Sequence, residues 1–128
     1  MKLIQFFSVI AVGLMFTACK AQTTTNDQST DKSLSKIEVL DFHSTHRCMT
    51  CNAIEENTKY TLNTYFSEEL KNEKITMQVI NIDEEKNEQI AEKFQASGTA
   101  LFLNVIKNGK QSQIDLTSFA FMKGTDQE

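Results

Sequence analysis

A β-branched strand that runs through a short polar loop into Cys-x-x-Cys, at the head of an amphipathic helix, leaves few architectures open to this chain. Lys36–Phe42, KIEVLDF, alternates apolar and polar residues as a strand does. The loop HSTHR follows, and from Cys48 the period becomes helical. Ile54, Thr58, Leu62, Tyr65, Phe66 and Leu70 recur at helical spacing. This predicts one continuous stripe, with Tyr65 and Phe66 in the core and a break only at Lys71–Lys74. Ile75–Ile82, ITMQVINI, is apolar on both faces towards its end and reads as a central strand. Asp83 is placed to cap a helix that runs to about Gln95, buries Ile90, Ala91 and Phe94, and is stopped by Ser97-Gly98. Thr99–Ile106 is a third strand. Lys107-Asn108-Gly109-Lys110 is a hairpin turn, because Asn-Gly accepts positive φ angles, and Gln111–Leu116 is the returning strand. Thr117 or Ser118 opens a last helix bearing Phe119, Phe121 and Met122. The order β-α-β-α-β-β-α predicts an α/β domain, a mixed sheet with helices on both faces.

The chain of 128 residues has room for one such domain and an appendage. The domain is expected over 36–123, with 124–128 as a tail. Residues 1–18, MKLIQFFSVIAVGLMFTA, read as a signal peptide: one lysine, an apolar stretch too short to span a bilayer, then small residues before Cys19. That ending resembles a lipobox, with Phe16 in place of the usual Leu. The resemblance implies cleavage before Cys19 and a lipid on its thiol. A simple cleaved secretory signal or a short N-terminal anchor is the alternative. The polar run after Cys19 cannot bury enough surface to fold, so 19–35 is expected to be a lipidated, flexible tether. The expected location is a membrane-anchored lipoprotein facing the periplasm. The net charge of -4 is scattered along the chain, and no basic cluster for nucleic acid exists.

Both histidines, the only arginine and two of the three cysteines fall between His43 and Cys51. Scarce titratable types gathered on one strand-to-helix loop mark a candidate site. Two cysteines three apart at a helix start can close a disulfide with little backbone movement. Cys48 would face the unpaired amides and the positive end of the helix, which favours thiolate, the nucleophilic form. Cys51, one turn in, would resolve the mixed disulfide. The alternative for the pair is a static bridge, although one spanning three residues constrains the unfolded chain little. His46 and Arg47 either add positive charge beside Cys48 or serve the loop, Arg47 by holding a carboxylate such as Glu55. Asp41 either accepts a proton from Cys51 or caps the loop.

A strand ending in Asp41-Phe42, then a short loop, then Cys48-Met49-Thr50-Cys51 opening a helix, resembles the thioredoxin family over residues 36–116. The segments VLDFHSTHRCMTCNAIEENTKYTL, YFSEELKNEKITMQVINID and ALFLNVIKNGK are similar to a narrower set of thioredoxin-like lipoproteins, the nitrophenyl compound nitroreductase subunit (ArsF) family. The resemblance implies a thioredoxin-like fold with a short or truncated C-terminal helix. It also implies thiol–disulfide exchange through Cys48 and Cys51, with no cofactor. Expected partners are an exported protein or a small-molecule disulfide or thiol, and an upstream membrane electron donor. The narrower label implies a link to nitroaromatic reduction or arsenic-related gene clusters, but no flavin or nicotinamide site is visible, and nitroreductase activity is not carried over. The loop from Asp41 to Cys48 is one residue longer than the family's, and Met49-Thr50 stands where it has Gly-Pro. Thr99-Ala100 occupies the place of the family's cis-proline, which docks substrate and keeps metals off the thiols. Two other functions remain open. One is a soft-metal or metalloid module in which Cys48, Cys51 and His46 hold Zn(II), Cu(I) or As(III). A copper-chaperone Met-Thr-Cys-x-x-Cys motif is not met, because Ile54 stands at its second cysteine. The other is a non-catalytic accessory subunit that docks through Phe119 and Phe121.

Overall fold

The computed structural model describes residues 35–124. The signal segment, Cys19 and all of the tether before Ser35 lie outside these residues, as does 125–128. Among the described residues no helix is long and apolar enough to cross a membrane.

Four strands, β1 (Lys36–His43), β2 (Ile75–Asn81), β3 (Ala100–Lys107) and β4 (Lys110–Asp115), form one sheet in the order β2-β1-β3-β4. β1 and β2 are parallel, and the pairs β1/β3 and β3/β4 are antiparallel. The crossover from β1 to β2 carries α1 (Met49–Tyr65) and α2 (Ser67–Lys71), and the connection from β2 to β3 carries α3 (Glu88–Phe94). α4 (Thr117–Lys123) follows the hairpin. This is the expected α/β architecture, a mixed sheet with a parallel crossover and a returning hairpin.

Alternation along β1 divides the interior into two layers. Val39 packs with Ile54 and Leu62 of α1, Leu101, and Ala120 of α4. Leu40 and Phe42 point the other way, against Ile80, Phe94 and Ala100. Phe42, Phe94 and Phe102 form a ring cluster with centroids 5.4–6.0 Å apart. Each such buried side chain contributes about 1.5–3 kcal/mol relative to exposure. The same alternation puts Asp41 on the Val39 side, fully buried under the helical layer. The hairpin turn forms as read, with Asn108 at φ 52° and Gly109 at φ 72°.

Four expectations fail for physical reasons. β2 is an edge strand rather than a central one, and Val79 is exposed. A run of apolar residues shows that a strand is partly covered, not where it sits. The helical stripe does not continue to Leu70, because the helix breaks at Phe66, which has φ -129°. Tyr65 and Phe66 are therefore not core: they are 69% and 40% exposed, while Phe94 is buried at 3%. α4 covers only the first part of α1, where Asn57 Nδ2 donates to the Gly124 carbonyl at 3.0 Å. Asp83 caps no helix; a 3-10 turn at Glu85–Asn87 precedes α3. Finally, α3 stops before Ser97-Gly98. Gln95 adopts the left-handed conformation at φ 54°, and the Ala96 N–H bonds back to the Ala91 carbonyl at 2.9 Å. A side chain there is strained, so Gln95→Gly is expected to stabilise the domain by about 0.5–1 kcal/mol in chemical denaturation.

Candidate functional site

Cys48 and Cys51 are joined by a disulfide with Cα atoms 5.1 Å apart. Cys48 is the N-cap of α1, and its Sγ accepts the Cys51 backbone N–H at 3.2 Å. The sulfur thus takes the place of a capping oxygen at the positive end of a 17-residue helix. Cys48 is exposed and Cys51 is buried, at 7% exposure. The two sulfurs are presented unequally, as an attacking and a resolving group require.

Asp41 is connected to the pair through Arg47, whose Nη2 faces its carboxylate and donates to the Cys51 carbonyl. Neither of its carboxylate oxygens has a hydrogen-bond partner, and the nearest cation is Arg47, whose Nη2 is 4.0 Å from Oδ2. Burial pushes the Asp41 carboxyl from 3.8 up to about 6, against the Arg47 guanidinium, which pulls the other way. Arg47 links several parts of the site. Its Nη1 donates to Glu55 and its Nη2 donates to the Cys51 carbonyl at 3.3 Å. Lys59 pairs with Glu55 from the next turn of α1. Burial disfavours ionised Glu55, but hydrogen bonds from Lys59 and Arg47 outweigh it and hold this carboxyl below its ordinary value. Of the two readings of Arg47, the structure shows it holding Glu55 and facing Asp41.

The loop between β1 and α1 is anchored from outside. The Thr45 N–H donates to Asp83 Oδ2 at 2.7 Å, and Asn81 Nδ2 donates to Thr45 Oγ1 at 3.1 Å. The hydrogen bond from Thr45 holds the Asp83 carboxyl below its ordinary value. His46 is exposed on this loop, and its carbonyl accepts from Ser44 Oγ at 3.1 Å. His43 Nδ1 lies 2.9 Å from the Ser44 carbonyl.

Thr99 reaches the pair from across the sheet: its Oγ1 donates to Cys51 Sγ at 3.2 Å. Ala100 begins β3, pairs with Phe42 and is buried. No cis peptide bond occurs among the described residues.

Among the solved structures similar to the chain is a Fasciola hepatica thioredoxin. It is 18% identical, with 69% of this chain and 76% of that one covered, at a TM-score of 0.43. Another is a malarial protein, 21% identical, covering 69% of this chain and 94% of that one, also at 0.43. No family model matches the chain, and no curated protein matches it.

The structure therefore brings Cys48, Cys51, Asp41, Arg47 and Thr99 together and leaves His46 in solvent. Residue types alone did not single out Asp83, Asn81 or Lys59 for this site. Glu55 had one usable signal, since it lies a helical turn after Cys51 on the side from which Arg47 approaches. Among the described residues, no group of three or more His, Cys, Asp or Glu side chains is placed to hold a metal ion. A groove of about 830 Å³ opens between α1 and α4, lined by Val39, Leu103, Tyr65, Phe66, Leu116 and Phe119.

Proposed function

We propose that the protein is a thiol–disulfide oxidoreductase of the cell envelope, working through Cys48 and Cys51. One observation carries this reading: an exposed cysteine sulfur caps a helix and is disulfide-bonded to a buried partner. In the reduced protein, the Cys48 thiolate attacks a substrate disulfide and the first substrate sulfur leaves as thiolate. Cys51, having lost its proton, attacks Cys48 and releases the second. Asp41 has an acidity suited to accepting that proton near neutral pH. Arg47 touches both the Asp41 carboxylate and the Cys51 carbonyl, and so couples the buried acid to the helix start. An upstream membrane donor, itself a dithiol or thiol, would return two electrons to the pair.

The envelope location is supported by the apolar leader and Cys19, which suit a lipid-anchored protein facing the periplasm. Exported proteins and small-molecule disulfides are the substrates such a placement offers. The narrower likeness to the nitrophenyl compound nitroreductase subunit family belongs here as well, as a proposal about relationship that carries no nitroreductase activity.

The test is a trap. Cys51→Ser, incubated with a protein disulfide, is expected to accumulate a mixed disulfide on Cys48, read as one added substrate mass that dithiothreitol removes. A Cys51→Ser protein that stays unmodified under these conditions would refute the exchange mechanism. The groove between α1 and α4, with exposed Phe119 and Phe121 on α4, favours one second reading, an accessory subunit that docks a partner there.

A further inference from the structure

The Thr99 hydroxyl lies outside the exchange steps described above, yet it touches one of the two reacting atoms. It is half-buried between α3 and β3, and its Oγ1 donates to Cys51 Sγ at 3.2 Å. The neighbouring Ala100 is locked by its pairing with Phe42, and threonine is stiff at χ1, so the hydroxyl is held in place. Cys48 has a separate donor, the Cys51 N–H. Each sulfur of the pair thus has its own hydrogen bond, from a different element. A disulfide sulfur is a weak acceptor, whereas an ionised acceptor binds a donor about twice as strongly as a neutral one. The same contact is therefore worth more once the bridge is reduced and Cys51 has lost its proton.

We propose that Thr99 is a positioning residue for Cys51, its hydroxyl holding the resolving sulfur and favouring its thiolate as the mixed disulfide on Cys48 is broken. This rests on the oxidoreductase reading and names a residue that governs its second step. In that step the Cys51 thiolate attacks Cys48 Sγ. The bond between Cys48 and the substrate sulfur breaks, and the Cys48–Cys51 bond forms. The electron pair leaves on the substrate sulfur, which takes a proton from solvent. Over the whole cycle the cysteine pair loses two electrons to the substrate disulfide. Thr99 keeps its own proton throughout. The titratable and charged groups around the site are Asp41 and His43 on β1, His46 and Arg47 on the loop, Glu55 and Lys59 on α1, and Asp83 after β2, which holds the loop at Thr45. All remain in place when Thr99 is changed, so a moved pH profile reports the hydroxyl.

The full-length protein, reduced and mixed with the chromogenic disulfide dithiobis-nitrobenzoate, should release thionitrobenzoate twice. The first release reports attack by Cys48 and the second reports attack by Cys51. Losing a donor to an ionised acceptor lowers the thiolate fraction about tenfold. The thiolate that remains is about threefold more nucleophilic, so the second release slows about threefold below its pH midpoint. In Thr99→Val, that midpoint is expected to move up by about one pH unit, from the same loss. Thr99→Ala, which adds no bulk to the loop, is expected to show the same shift. Thr99→Ser, which keeps the hydroxyl, is expected to restore the original profile, and the first release should be unchanged in all three. A second release whose midpoint is unmoved in Thr99→Val and Thr99→Ala overturns the proposal, and so does a Thr99→Ser profile that matches Thr99→Val. Absence of a first release in the unsubstituted protein would overturn the oxidoreductase reading instead.

Discussion

Cys48→Ser is expected to abolish disulfide reduction while leaving the domain folded. Thiolate is the attacking species, and the serine hydroxyl does not ionise near neutral pH. Insulin-type reduction driven by dithiothreitol should fall to the rate of the reagent alone. The fold should survive for two reasons. Cys48 is the N-cap of α1, where its sulfur accepts the Cys51 N–H, and serine is among the best residues for that position. The lost bridge closes only a three-residue separation, so its contribution in the loop-entropy model is about 1.5 kcal/mol. A large loss of activity beside a small loss of stability separates a working sulfur from a structural one. If Cys48→Ser retained reduction above the reagent background, exchange through this cysteine would be excluded. If it unfolded outright, the bridge would be structural.

Asp41→Asn is expected to make the protein more stable, and only above a certain pH. The folded-state acidity of Asp41 lies at about 6, above the ordinary 3.8. As pH rises from about 4, the unfolded chain gives up this proton first, so stability falls across the window and the loss is complete above about 6. At about 1.4 kcal/mol per pH unit, the buried charge costs about 3 kcal/mol near neutral pH. Asparagine removes the charge and keeps the shape. Arg47 is not stranded by the change, because Glu55 and the Cys51 carbonyl still bind it. For a domain of this size the gain corresponds to a melting temperature higher by about 10 °C or more. The difference should vanish below pH 4 or so, where both forms are neutral at this site. Equal denaturation midpoints for the two proteins at alkaline pH would show that Asp41 is not a buried charge. The same substitution should slow release of the second substrate thiol, which ties the stability cost to the chemistry.

How far the sequence could be read depended on which forces were local. The order of elements, the Asn108-Gly109 turn and the Cys48 helix start follow from short-range backbone preferences, and all are present. The placement of Tyr65 and Phe66 was misread because helical period persists in the sequence across a backbone break at Phe66. Whether a stripe is covered depends on its partner, and the end of α4 lies against the earlier part of α1, at Asn57, while Tyr65 and Phe66 stay exposed. β2 was misplaced for a similar reason: its neighbours, not its composition, make it an edge. Within the site, the cysteine spacing and the Asp41-Phe42 strand end were local signals. Asp83 on Thr45 and Thr99 on Cys51 are contacts across the fold, 38 and 48 residues apart in sequence. Nothing in the sequence marks Asp83 for such a contact; the likeness to the thioredoxin cis-proline position sets Thr99 near the cysteines, but only the fold shows its hydroxyl on Cys51.

The bracing of the loop before Cys48 has a mechanical consequence. Thr45 is tied to the turn after β2, and Arg47 is tied to α1, so the segment has no slack between its two moorings. A sulfur mounted this way cannot swing out to find its target. The incoming molecule must do the travelling and present its own bridge to a stationary contact point. Bonds recessed inside rigid folded shells are out of reach, whereas those on protruding loops, loose chain ends or small molecules can be brought into line.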